Sequence, residues 1–144
     1  MTRFYAIDEA NASLPEVERI LTALRDQREE LIALRDRVVE ATPDDGEPSA
    51  GAAEQIRLLR LGMQGLIDQM QAGVARLVEM EITLRDISTG LIDFPALATG
   101  RPIWLCWRLG ESEVANWHPH DAGFDARRPL SELPSGRGSG TPAA

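Results

Sequence analysis

The chain has 144 residues, 43% of them hydrophobic, and carries 23 acidic against 15 basic side chains for a net charge of −8. That length suits one domain, able to bury roughly 70% of its unfolded surface. The acidic balance argues against nucleic-acid and membrane-surface partners, which require clustered positive charge. No lysine is present, so Schiff-base chemistry and the lysine of a phosphate-binding loop are excluded as well.

Phe4 to Ile7 is a short apolar start that reads as an edge strand, and Asp8 as the N-cap of a first helix. Pro15 is placed in the first turn, where its missing N–H costs nothing, with Glu16 and Glu18 near the positive end of the helix dipole. Val17, Ile20, Leu24, Gln27, Leu31, Leu34 and Val38 then follow a heptad spacing, apolar except at Gln27. This is a solvated helix with one coiled-coil-like apolar seam, and it ends before Thr42-Pro43.

Asp44 to Gly51 is polar and rich in helix breakers, a mobile loop. A second helix is expected from Ala53 to Thr89-Gly90, with Ile56, Leu59, Met63, Leu66, Met70, Gly73, Leu77, Met80, Leu84 and Ile87 on its seam. Gly90 is a candidate left-handed residue at its end. The helices would be about 40 Å and over ~50 Å long, joined as an antiparallel hairpin. Leu58, Leu61, Ile67, Val74 and Val78 lie off the main seam of the second helix. That surplus apolar surface calls for cover by the C-terminal module, another helix or a second copy of the chain.

After Gly90 the hydrophobic period changes to two. Leu91 to Phe94 is a strand ending at Pro95. Pro102 to Leu109 is a strand by its β-branched and aromatic content, Gly110-Glu111-Ser112 a turn, and Glu113 to His118 the returning strand. All three tryptophans, Trp104, Trp107 and Trp117, fall in these two strands. Gly123-Phe124 begins a bend and Arg127 to Leu130 closes the ordered region. The expected fold is therefore mainly α with a small β module, an α+β arrangement. It is a single domain over 1–134, with the helical hairpin at about 8–89, the β hairpin or meander at about 90–130, and a disordered tail at 135–144.

Asp8-Glu9-Ala10-Asn11 with Leu14-Pro15 at one end resembles a bacterial family catalogued as domain of unknown function 2203. At the other end so do Gly90 to Ala96, Ile103 to Glu111, Trp117-His118, Asp121 to Phe124 and Arg127 to Leu130. The resemblance spans nearly the whole ordered chain and implies a helical hairpin with a Trp-rich C-terminal part. It implies no activity.

The one cysteine, Cys106, cannot form an internal disulfide. With no signal-peptide core near the N-terminus and no apolar run approaching the ~20 residues that span a bilayer, a cytoplasmic location is expected. The strongest chemical feature is His118-Pro119-His120-Asp121. Residues i and i+2 of an extended chain point the same way, so His118 and His120, with Asp121 and Cys106, are candidate ligands for zinc or another divalent metal. The structural alternative has His118 donating to a backbone carbonyl beside Trp117, with His120 solvated. Cys106 as a nucleophile paired with His118 competes with Cys106 as a buried apolar residue between Leu105 and Trp107.

Asp93, Trp107, Arg108, Glu111, Trp117, His118 and Arg127 form a candidate site for a partner or small ligand. For Asp93, Glu111, Arg108 and Arg127 the favoured reading is an ion-pair network pinning the β module. The leading expectation is a homodimeric interaction or scaffold protein without catalysis or cofactor, whose Trp/Arg/His module binds a partner. The alternative is a divalent-metal protein, even a hydrolase, centred on His118.

Overall fold

A computed structural model describes residues 3–134; the tail expected at 135–144 lies outside the described residues. The first helix, α1, runs Ile7–Ala41 with Ala6 as its N-cap, not Asp8. The N-cap position is set by Glu9, whose carboxylate accepts the Ala6 N–H at 2.9 Å, while Asp8 and Glu9 both sit in the dipole-favoured first turn. Pro15 therefore falls inside the helix, where its ring removes the N–H that would bond the Asn11 carbonyl. Pro15 lies on the exposed side, so that carbonyl can turn to water.

The second helix, α2, runs Ala50–Glu79. Ser49 Oγ starts it by accepting the Ala52 N–H at 3.1 Å. It stops at Glu79 rather than Thr89, although the apolar heptad continues. Glu81 takes a left-handed conformation, φ 58°. The Glu81 N–H donates to Val78 O at 2.9 Å and the Ile82 N–H to Leu77 O at 3.0 Å, the paired bonds of a Schellman end. Ile82 turns into the core. The expected lengths are thus reversed: α1, with 35 residues, is about 52 Å long, and α2, with 30, about 45 Å.

Five antiparallel strands follow in a meander, paired in chain order: β1 Thr83–Asp86, β2 Leu91–Ala98, β3 Arg101–Arg108, β4 Asn116–Pro119 and β5 Arg128–Pro129. Leu84, expected on a helix seam, belongs to β1, and Ile87 to the turn after it. Pro95 does not end β2. β1 pairs only as far as Asp93, so Pro95 sits on a free edge where its missing N–H breaks no ladder bond. Its carbonyl there accepts the Tyr5 N–H at 2.7 Å. Tyr5 O–H also donates to Met80 O at 2.6 Å, and its ring meets Phe94 edge-on at 4.9 Å. The expected N-terminal edge strand is instead this extended strap, with Ile7 already helical.

Gly90 is left-handed, φ 69°, as expected, but it closes the β1–β2 turn rather than a helix. A Cβ there would stand 2.5 Å from Leu109 Cβ. The same turn is bound by Asp86, whose Oδ2 accepts from Thr89 O–H at 2.6 Å, Ser88 O–H at 2.8 Å and Thr89 N–H at 2.9 Å. These donors, Thr89 foremost, hold the Asp86 pKa below the usual carboxylate value. A depressed native pKa means stabilisation that is complete above the unfolded pKa of about 3.9 and is lost as pH falls through the native value. Asp86→Ala is therefore expected to cost about 1 kcal/mol at neutral pH. Melts of both proteins along an acid series should converge; a penalty independent of pH would rule this role out.

The pleat gives the sheet two different faces. Ile92, Phe94, Ala96, Ile103, Leu105, Trp107 and Trp117 are buried in one cluster with Ala10, Leu14, Val17, Leu21 and Leu24 of α1 and Leu77 and Met80 from the end of α2. α1 and α2 meet along the expected seam: the Cα of Gly73 lies so near Leu24 that a Cβ would come within 3.2 Å of it. The core covers only the sheet-proximal half of the hairpin. The distal half projects beyond the sheet, its seam closed by Ile56, Leu59 and Leu66. The other face of the sheet carries the polar residues.

Candidate functional site

Asp93 on β2 and Cys106 on β3 are directly opposed, and Cys106 and Trp104 face Asn116 and His118 of β4. Alternation therefore puts Asp93, Trp104, Cys106 and His118 on the sheet face turned away from the helices. Among the described residues Asp93 and His118 are the only charged or polar ones in the buried set, at 2% and 1% exposure, and Cys106 is fully buried beside them. A carboxylate in such a place requires partners. Arg85 of β1 donates from Nε to Asp93 Oδ2 at 2.7 Å, and His118 Nε2 stands 3.0 Å from the same oxygen. His118 Nδ1 lies 3.0 Å from Pro119 O, so both ring nitrogens face an acceptor oxygen. Asp93 Oδ1 is buried and has no hydrogen-bond partner among the described residues.

Above this face lies a cleft of about 370 Å³, lined by Arg85, Asp93, His118, His120, Asp121 and Phe124 among others. Arg85 also sets its guanidinium 4.9 Å from the Trp104 ring centre, and His120 stacks on Trp104 at 4.8 Å. Burial, and next the Asp93 charge, push the Cys106 thiol up to about 12. At neutral pH it is a thiol, not the thiolate a nucleophile needs.

The residues expected at a site are thus divided. Asp93 and His118 line the cleft floor. Glu111 and Arg127 pair with each other, Nη2 to Oε2 at 2.9 Å, and Arg127 lies 4.5 Å over the Phe124 ring. Arg108 gives its backbone N–H to Glu111 at 2.9 Å and directs its guanidinium toward Phe124 at 5.6 Å. They brace the loop that roofs the cleft. Trp107 and Trp117 point to the helices and are core. Of the expected metal ligands, Cys106 and His118 come together. His120 does not join them: β4 ends at Pro119, a turn follows with the Ala122 N–H on Pro119 O at 3.1 Å, and His120 and Asp121 are exposed at the rim.

Arg85 was missed because its segment continues the helical heptad. The signal lay in Ile82-Thr83, Ile87 and Thr89, β-branched residues that disfavour helix, and in Asp86 to Gly90, a turn sequence.

No helix among the described residues is long and apolar enough to cross a membrane. A family model described as "Uncharacterized conserved protein (DUF2203)" matches residues 3–130. No curated protein and no solved structure matches the chain. The chain belongs to the DUF2203 family, with the matched region covering both helices and the whole sheet.

Proposed function

We propose that this family member is a self-associating interaction protein without catalysis of its own. The apolar side of the hairpin that the sheet leaves open pairs with a second copy in a four-helix arrangement, and the outer sheet face offers its cleft to a partner or small ligand. One observation carries the reading. Ile67, Val74 and Val78 form a helical stripe beside the hairpin seam, and the sheet does not cover it: Val78 is 65% exposed, and Ile67 and Val74 with Leu31 and Met70 line an open apolar groove. A helix apolar on two sides needs two partners, and four-helix bundles are the usual solution for paired hairpins. The absence of lysine and the negative charge leave nucleic acid and anionic lipid as poor candidates for the partner.

Light scattering at micromolar concentration is expected to return twice the chain mass. Ile67→Glu with Val74→Glu is expected to halve it while far-ultraviolet dichroism stays helical. A strict monomer for the wild type would overturn the proposal.

A further inference from the structure

We infer that Asp93, Cys106 and His118 hold a single borderline-soft divalent metal of the zinc type, its remaining position open to the cleft. One donor atom from each of the three residues lies within 4.8 Å of the others, and all three residues are buried. They sit on neighbouring strands in fixed register, so the cluster is held by the sheet rather than by a loop. Carboxylate oxygen, thiol sulfur and imidazole nitrogen together suit zinc or cobalt(II); magnesium and calcium prefer oxygen alone.

The atoms support this one by one. Pro119 O, 3.0 Å from His118 Nδ1, is the kind of second bond that keeps a ligating histidine's proton on one nitrogen, and the other nitrogen, Nε2, faces inward 3.0 Å from Asp93 Oδ2, where a metal would take it. Arg85 holds Asp93 by Oδ2, leaving Oδ1 buried and unpartnered. A lone pair stranded in this way asks for a donor or a cation. Arg85 beside the carboxylate also disfavours hard cations bound by charge alone and leaves selection to sulfur and nitrogen. Binding balances in protons alone: the Cys106 S–H proton and the proton by which His118 Nε2 meets Asp93 Oδ2 leave to solvent, sulfur–metal and nitrogen–metal bonds form, and nothing is oxidised or reduced. Three protein ligands leave a position for water or a ligand in the cleft, where His120 and Asp121 stand at the rim. The site is independent of whether the helices pair.

The test uses the full chain without a histidine tag, stripped with chelator and titrated with cobalt(II) chloride. One equivalent per chain is expected, with a sulfur-to-cobalt charge-transfer band that zinc chloride bleaches by displacement. Cys106→Ser should abolish the band and, like His118→Gln, weaken binding by roughly tenfold or more. His120→Ala and Asp121→Ala should leave the affinity within about twofold, because neither belongs to the ligand set. If His118→Gln fails to fold, the band and its loss in Cys106→Ser still decide. Absence of the band at stoichiometric cobalt, or binding unchanged in Cys106→Ser, would overturn the inference.

Discussion

Trp107→Ala is expected to lower the unfolding free energy by about 3–5 kcal/mol, the range for deleting a fully buried large aromatic. The ring is 0% exposed and is the largest fully buried side chain. It is the last residue but one of β3, opposite Ile92, on the face the helices cover, so solvent cannot fill the space it leaves. Small domains have about 5–15 kcal/mol in total, so the variant should be partly unfolded at modest urea concentrations, with the midpoint shifted and the slope little changed. Trp107→Phe separates volume from polarity. The indole Nε1 is buried without a partner, so exchanging the ring for a smaller one strands nothing and should cost well under half as much as Ala. Equal losses for the two variants would mean that the indole N–H carries the effect.

Asp93→Ala is expected to cost about 3 kcal/mol in metal-free protein. The substitution leaves His118 Nε2 buried and unpaired, and stranding a buried partner of a charged group is among the more costly single changes. Arg85 softens the loss, because its side chain is 41% exposed and can return to water. For that reason Arg85→Ala should cost clearly less than Asp93→Ala, although the two residues share a bond of 2.7 Å. Urea denaturation of the three proteins checks the order. If Arg85→Ala proved as damaging as Asp93→Ala, the ion pair rather than the buried imidazole would be the dominant element.

Much of the fold was legible because its signals are long and periodic. The seam through Val17, Ile20 and Leu24 placed α1, and the period of two through Ile103, Leu105 and Trp107 placed β3. The end of α2 was not legible. Leu84 and Ile87 fall on heptad positions by coincidence, and a non-glycine residue, Glu81, makes the left-handed reversal. That one error hid β1 and, with it, Arg85. The site was half legible. Trp-rich strands marked the right segment, but sequence alone does not say which pleat face meets the helices, and that face separates Trp107 and Trp117 from Asp93 and His118. The pairing of Asp93 with Cys106 depends on strand register, set by the turn between β2 and β3 rather than by either residue.

The strap at Tyr5 bears on when this protein can finish folding during synthesis. Its hydroxyl bond to Met80 bridges 75 positions, and Asn11, in the second turn of α1, accepts the Val114 N–H across 103. Such distant closures are slow and come late. A ribosome adding 5–20 residues per second needs roughly 5–20 s to deliver Val114 after Asn11. For most of that interval the stripe Leu14, Val17 and Leu21 lacks its cover, because Ile92, Phe94, Leu105 and Trp107 of the sheet that buries it are still to be made. The nascent chain is therefore a sticky half-hairpin for much of its time on the ribosome, and its first residues are the last to find their places.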